Sequence, residues 1–502
     1  MLTDILSGYS LLLQPGNLLA VLGGTILGII IGAIPALDSA VGAALVVPLT
    51  YALSPGQALI VLTCLYFGAI YGGQIPAILF RIPGSSEAVM TAIEGYELAK
   101  QGQADRALGY GLLCSAIGSV IGVIALSTLT PLLAQFALSF SPAEYFALGV
   151  LGLSTISALT SQSVVKGLIA GLLGLLFATV GIDAVTGIPR FTFGWSTLMA
   201  GIDFIPAVIG LFAASEVYKQ VAQGFPTSEG TLSAVGGRIR VRLPSWRDMM
   251  ALNGVTVRSS LIGLWVGILP GIGAATAAIL AYSQTARFAK RPELIGKGSI
   301  EALAAAETAN NAAGPAAMIP LLALGIPGSA TTAVMLGAFL LHGLQAGPLF
   351  LVNQRELSFT IFAAGMAGTL AFFLLGFVAP APFVQLLKLP PRSLAISILT
   401  FSAAGAGAIG GLRTIQVMFV FAILGYVLQE CGYPVAPIVL GIILGPIVEQ
   451  SLRRALIMTN YDVVAVFTRP ITAVLLLLSV LSIVAPFLGW GLGTKKTSEQ
   501  SQ

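Results

Sequence analysis

One phrase occurs twice in this chain: Gly-x-x-x-Gly-x-x-Pro, an apolar run, and then Ile-Pro-Gly-Ser. The first copy is Gly28, Gly32 and Pro35 followed by Ile82-Pro83-Gly84-Ser85; the second is Gly263, Gly267 and Pro270 followed by Ile326-Pro327-Gly328-Ser329. Both copies set helix breakers inside strongly apolar sequence. In a bilayer, broken backbone is tolerated only where it is buried in protein or lines a watery cavity. Matched breaks in two halves of a membrane protein point to a solute site at the repeat interface.

Only 9% of the 502 residues are charged and 56% are hydrophobic, whereas a soluble domain carries about 25% charged residues. Lipid must therefore be the main neighbour of the chain. The length suits about 11–14 membrane segments of about 20 residues each, some of them hairpin arms. The expected fold is an all-α polytopic membrane protein with two homologous, inverted repeats containing broken helices or re-entrant hairpins. The first basic residue is Arg81, so a basic n-region is missing, the first apolar segment is expected to be retained, and the N-terminus is expected outside. Lys495 and Lys496 put the C-terminus inside. A net charge of +4 implies membrane lipids as neighbours and no nucleic-acid partner. Cys64, Cys114 and Cys431 are odd in number and lie in apolar runs, which speaks for packing rather than a disulfide or zinc framework.

Hydropathy divides the chain into a first membrane repeat with its connecting helix (18–218), a connector (219–258), a second membrane repeat (259–449), a C-terminal membrane segment (450–490) and a tail (491–502). The connector holds Pro226, Pro244, Arg238, Arg240, Arg242 and Arg247, which places it in the cytoplasm. Segments expected in the second half include Ser259–Leu269, Leu357–Leu387 and Val463–Leu488. Pro76 and Pro83 match Pro320 and Pro327 at a slightly larger offset than Pro35 matches Pro270. An insertion around Arg287–Lys297 accounts for the difference. An odd number of first-half crossings would turn the second copy upside down.

Ser329, Ala330, Thr331 and Thr332 follow the second break and open an apolar helix, a Ser/Thr-capped N-terminus that presents free N–H groups to a carboxylate. Pro83, Gly84, Ser85 and Ser86 offer the same device in the first copy. The alternative for Pro327-Gly328-Ser329 and its counterpart is a plain turn. Gly271 and Gly273 permit close backbone approach to a ligand. Asp38, beside Ser39, is either a coupling-ion carboxylate, since a charge at membrane depth is costly, or a helix N-cap. Glu307 is a candidate for carrying H+ or holding Na+, and Asn310 and Asn311 for binding substrate carboxylates, with helix–helix glue as the alternative. Tyr71 and Gln74 occupy the comparable place in the first copy. No ligand set for Na+ stands out, no catalytic residues or further cofactors are expected, and His342, the only histidine, suits a structural role. Gly296-Lys297-Gly298 lacks the upstream Gly and the Ser/Thr of a P-loop. An intramembrane hydrolase lacks its zinc motif, and a passive anion channel is left open.

At these residues the chain resembles the large membrane subunit of the tripartite tricarboxylate transporters. The stretches that carry the resemblance are Gly296–Glu301, Glu307–Ala313, Leu324–Val334 and His342–Pro348, with Tyr71-Gly72-Gly73 and Gly95–Ala99 in the first copy. Ala36-Leu37-Asp38 and Gln74-Ile75-Pro76 depart from the family's usual Gly-Leu-Gly and Ser-Ile-Thr. The resemblance implies an ion-gradient-driven carboxylate importer in the bacterial inner membrane. It also implies two partners, a periplasmic substrate-binding protein and a small four-helix membrane subunit.

Overall fold

The structure is a computed structural model that describes residues 2–35, 37–159, 163–183, 185–224, 240–289, 291–378, 380–386 and 390–484. Pro226, Arg238, Lys290, Lys495, Lys496 and the tail 491–502 lie outside those residues. The described chain is helical apart from one short hairpin, Gly181–Ile182 with Pro189–Arg190. Eight described helices are long and apolar enough to cross a bilayer, and Ser39–Ala52, Val164–Ala178, Ala330–Leu341 and Pro470–Val484 are shorter apolar ones. The all-α polytopic fold expected from hydropathy is the fold observed.

The boundaries differ in places. The segment expected from Ser259 begins at Trp246, inside the stretch read as connector, because Ser245 and Asp248 form a reciprocal capping box there. Leu357–Leu387 divides into Arg355–Val378 and Pro380–Leu386, and the last segment starts at Pro470 after a short turn of helix, Val463–Phe467. Proline at the first helical position opens Pro15–Ala33 and Pro55–Phe80, where its missing N–H costs nothing.

Compactness divides the chain into two units, Met1–Ser139 with Val180–Cys431 and Phe140–Thr179 with Gly432–Gln502. In the smaller unit Val164–Ala178 packs on Val435–Met458 through Gly174 and Gly441, each facing backbone of the other helix. Pro142–Leu159 packs on Val435–Met458 and Pro470–Val484. Glu144 there takes an ion pair from Arg469 at 2.8 Å and a hydrogen bond from Thr472 at 3.2 Å.

The larger unit contains both copies of the repeat. Pro15–Ala33 lies along Pro55–Phe80, and Trp246–Ile268 lies along Ile300–Ala316. The phrase glycines allow that approach: a Cβ on Gly28 or Gly32 would stand 2.3 or 2.1 Å from the carbonyl oxygen of Leu65 or Ala69. On Gly263 or Gly267 it would stand 2.4 or 2.6 Å from that of Ala309 or Ala313. The third long helix of each copy packs on the other copy. Gly118 of Ala104–Ala137 meets Thr308, and Gly368 of Arg355–Val378 meets Cys64. Thr308 stands to Cys64 in the same register as Ile326 to Ile82.

Contact order gives the direction of these helices. Pro55–Phe80 runs in step with Arg355–Val378, Cys64 meeting Gly368 and Tyr71 meeting Gly376. Ala104–Ala137 runs in step with Ile300–Ala316, Gly118 meeting Thr308 and Gly122 meeting Ala312. Between the two pairs the order reverses, Val123 meeting Gly365 and Leu112 meeting Gly376. The starts of Pro15–Ala33, Pro55–Phe80 and Arg355–Val378 accordingly meet at one end, around a pocket of about 490 Å³ lined by Gln14, Asn17, Gln57 and Arg355. The starts of Ala104–Ala137, Trp246–Ile268 and Ile300–Ala316 gather at the other. There the Arg242 N–H donates to the Asp105 carbonyl at 3.0 Å and the Gln101 amide to that of Lys297 at 2.9 Å.

Candidate functional site

All four breaks converge inside the larger unit. Within the first copy Gly84 rests on the Gly32 carbonyl, where a Cβ would stand 1.9 Å away, and its N–H donates to Gly73 at 3.2 Å. Within the second, the Gly271 N–H donates to the Gly328 carbonyl at 2.9 Å. Gly271 and Gly273 have φ of 82° and 75°, the left-handed region that glycine enters without strain. The pairs then cross: Ser39, at the first break of copy one, bonds Thr331, at the second break of copy two, Oγ to Oγ1 at 2.8 Å. Gly273–Phe288 packs in turn on the turn Ser86–Ala88.

Two polar clusters fill this junction. In the first, Ser39 Oγ donates to Glu87 Oε1 at 3.0 Å and touches Thr331. The Asn310 amide donates to the Glu87 backbone carbonyl at 3.2 Å, and Tyr66 OH pairs with Ser329 Oγ at 3.2 Å. Glu87 is 7% exposed and its Oε2 has no partner. In the second cluster Glu307 is saturated: Thr91 donates to Oε1, and Ser115 and the Asn311 amide donate to Oε2 at 2.8 and 3.4 Å. Asn311 also donates to Asn310 Oδ1 at 2.7 Å and to the Glu307 carbonyl at 3.0 Å. The Gln74 amide reaches Ser115 at 3.4 Å, and Tyr71 stacks on Phe372 with ring centroids 5.1 Å apart.

Ser329 caps Ala330–Leu341 through a reciprocal box with Thr332. The first copy lacks that device, because Ser85 makes no side-chain cap and its Oγ is buried without a partner. Pro83 is half-buried, and Ser86 is exposed and outside both clusters. Pro327 is buried beside Gly328. Asp38 caps Ser39–Val46, its Oδ1 accepting the N–H groups of Ala40 and Val41 at 3.0 and 2.9 Å. The copies also end their helices differently. Arg81 adopts φ 60° where Gly325 stands in the second copy, a conformation that costs a residue with a side chain roughly 1–2 kcal/mol.

Sequence reasoning missed Glu87, Thr91, Ser115, Tyr66 and Glu94. The repeat register was the available signal, since the offset that pairs Ile82 with Ile326 pairs Glu87 with Thr331. Glu94, fully buried, holds the inserted loop: its carboxylate accepts the N–H groups of Gly296, Gly298 and Ser299 at 2.6, 2.9 and 2.7 Å and the Tyr282 hydroxyl at 2.8 Å.

A model of the Tripartite tricarboxylate transporter TctA family matches residues 18–440, which include every break and both clusters. The chain belongs to the TctA family. It is 35% identical over 489 residues to an "Uncharacterized 52.8 kDa protein in TAR-I ttuC' 3'region" of Agrobacterium vitis, covering 97% of this chain and 96% of that protein. A second Agrobacterium vitis relative, "Uncharacterized protein in TAR-II ttuC' 3'region", is 37% identical over 227 residues, 45% of this chain and 94% of its own length. No solved structure matches. As a member of TctA the chain is a membrane subunit of a tricarboxylate transporter, and its family is one of transporters rather than enzymes.

Proposed function

We propose that this chain is the large permease subunit of a binding-protein-dependent secondary transporter in the bacterial inner membrane. It imports a di- or tricarboxylate of the citrate class, with H+ or Na+ coupling. A periplasmic binding protein delivers the anion and a small four-helix membrane subunit completes the complex. The observation that carries this reading is the convergence of four broken-helix ends on one buried polar junction shared by both copies. Helix N-termini such as the capped start at Ser329 supply N–H groups for an anion's carboxylate, with Ser39, Asn310 and Thr331 beside it.

Inverted repeats are part of the proposal. Their support is that Pro55–Phe80 and its counterpart Ile300–Ala316 run in opposite directions. Broken helices at an inverted-repeat interface suit alternating access, and the burial of Ser39, Glu307, Asn310 and Thr331 suits an occluded state.

The test is uptake of radiolabelled citrate and a panel of other di- and tricarboxylates by proteoliposomes holding this chain with its small subunit and binding protein. Concentrative uptake that needs an ion gradient and weakens in Thr331→Ala is expected. Uptake that persists after the gradient is collapsed would make the protein an anion channel, and no uptake of any carboxylate would remove the reading altogether.

A further inference from the structure

We propose that Glu87 carries a coupling proton and that its protonated carboxyl donates a hydrogen bond to the transported carboxylate. The inference rests on the transporter reading and deepens it, because it names the residue through which anion and proton binding are linked.

The two buried glutamates of the junction differ in one respect. Glu307 has donors on both oxygens, two of them on Oε2, so neither oxygen awaits a further partner. Glu87 has a donor, Ser39, on Oε1 and nothing on Oε2. A buried carboxylate oxygen without a partner is costly, and no basic side chain among the described residues pairs with it. A proton on Oε2 removes the charge but creates an O–H that needs an acceptor. An incoming carboxylate is such an acceptor.

Placement makes the linkage obligatory. Ser39 touches both Glu87 and Thr331, so an anion received by the hydroxyl and N–H groups of these helix starts lies against Glu87. Two carboxylates in one site cannot both stay ionised. The groups that face Glu87 are Asp38 from the start of Ser39–Val46 and Tyr66 from Pro55–Phe80, both within its electrostatic reach, and Glu307 one turn from Asn310 on Ile300–Ala316. Pro15–Ala33 and Ala330–Leu341 contain no ionisable residue. On Val89–Lys100, which packs on the Glu87 turn, Glu94 is held by the inserted loop and Tyr282, and Lys100 pairs with Glu97, while Arg287 stands at the far end of Gly273–Phe288. The ionisable groups nearest Glu87 are therefore carboxyls and a phenol, and an anion enters only with a proton. Proton and anion bind together and leave together, with no covalent change.

The experiment is a pH titration of the purified protein in nanodiscs, read by infrared difference spectroscopy of the protonated-carboxyl C=O band, with no substrate present. The wild type should lose a deuterium-sensitive band as pH rises. Glu87→Gln should lack that band, Glu307→Gln should retain it, and Ser39→Ala, which removes the donor on Oε1, should shift its frequency. Circular dichroism establishes that each variant is folded. A Glu87→Gln spectrum that titrates like the wild type overturns the proposal, as does a band that responds to Na+ at constant pH and ignores pH. Either result leaves the transporter reading intact, since that reading stands or falls on carboxylate uptake.

Discussion

At the scale of single residues, the buried carboxylates are distinguished by what donates to them. Glu94 faces three backbone N–H groups and a phenol, an arrangement only an acceptor can satisfy. Glu94→Gln would turn an NH2 toward those donors and should lower the melting temperature in detergent more than Glu94→Asp, which keeps the carboxylate. Equal melting of Glu94→Gln and wild type would show that the inserted loop docks without it. Asn311 is a donor to Glu307 and Asn310 at once. Asn311→Ala should cost about 1–3 kcal/mol by stranding those acceptors and weaken uptake as well, measured by chemical denaturation and by transport. Unchanged uptake with lowered stability would make Asn311 a brace alone. The acid most visible in the sequence, Asp38, caps a helix through Oδ1, whereas Glu87, two residues beyond Ser85, has an oxygen buried without a partner.

At the scale of elements, the repeated glycines do their work in packing. Gly328 and Gly84 would put a Cβ 2.6 and 1.9 Å from backbone oxygens, so Gly328→Val disturbs the fold together with any site and cannot isolate binding. The same reasoning gives a graded expectation along Pro15–Ala33. Gly32→Val must push the helix off Ala69, and Gly267→Val must push Trp246–Ile268 off Ala313; forced overpacking of this kind costs typically about 1–3 kcal/mol. Gly23→Ala meets nothing within 4 Å and should keep or raise stability, since alanine suits a helix interior better than glycine. Thermal unfolding of the three variants checks the order, and a Gly32→Val protein as stable as Gly23→Ala would contradict the close approach.

At the scale of the whole molecule, the matched helices Pro15–Ala33 and Trp246–Ile268 begin at opposite ends of the larger unit, so the proposed inverted repeats would expose their first residues on opposite faces of the membrane. With Cys64, Cys114 and Cys431 replaced, a cysteine at Gln14 should react with an impermeant thiol reagent added outside intact cells. One at Arg247 should react only after the cytoplasmic side is opened. Labelling of both from one side would establish parallel repeats. The basic residues Lys100, Arg106, Arg242 and Lys297 lie near the end where Arg247 sits, and the preference for cytoplasmic Lys and Arg makes that end the expected cytoplasmic one.

The membrane class, the helical fold, the repeat and the positions of its breaks were legible in the sequence, because apolar runs and Pro-Gly interruptions are local and bilayers leave few other solutions for them. The insertion that offsets the two copies was legible for the same reason. The sequence named Ser39, Glu307, Asn310, Asn311, Ser329 and Thr331 among a longer roll of candidates that also held Asp38, Ser86, Gly271 and Gln74, without saying which would touch. The pairing of Ser39 with Thr331 across 292 positions, the docking of the inserted loop on Glu94 and the contrast between a saturated Glu307 and a half-bonded Glu87 were decided only by tertiary structure. Each depends on which hydroxyls and amides the crossed helices bring to a given oxygen, and hydropathy and spacing along one chain contain no record of that meeting.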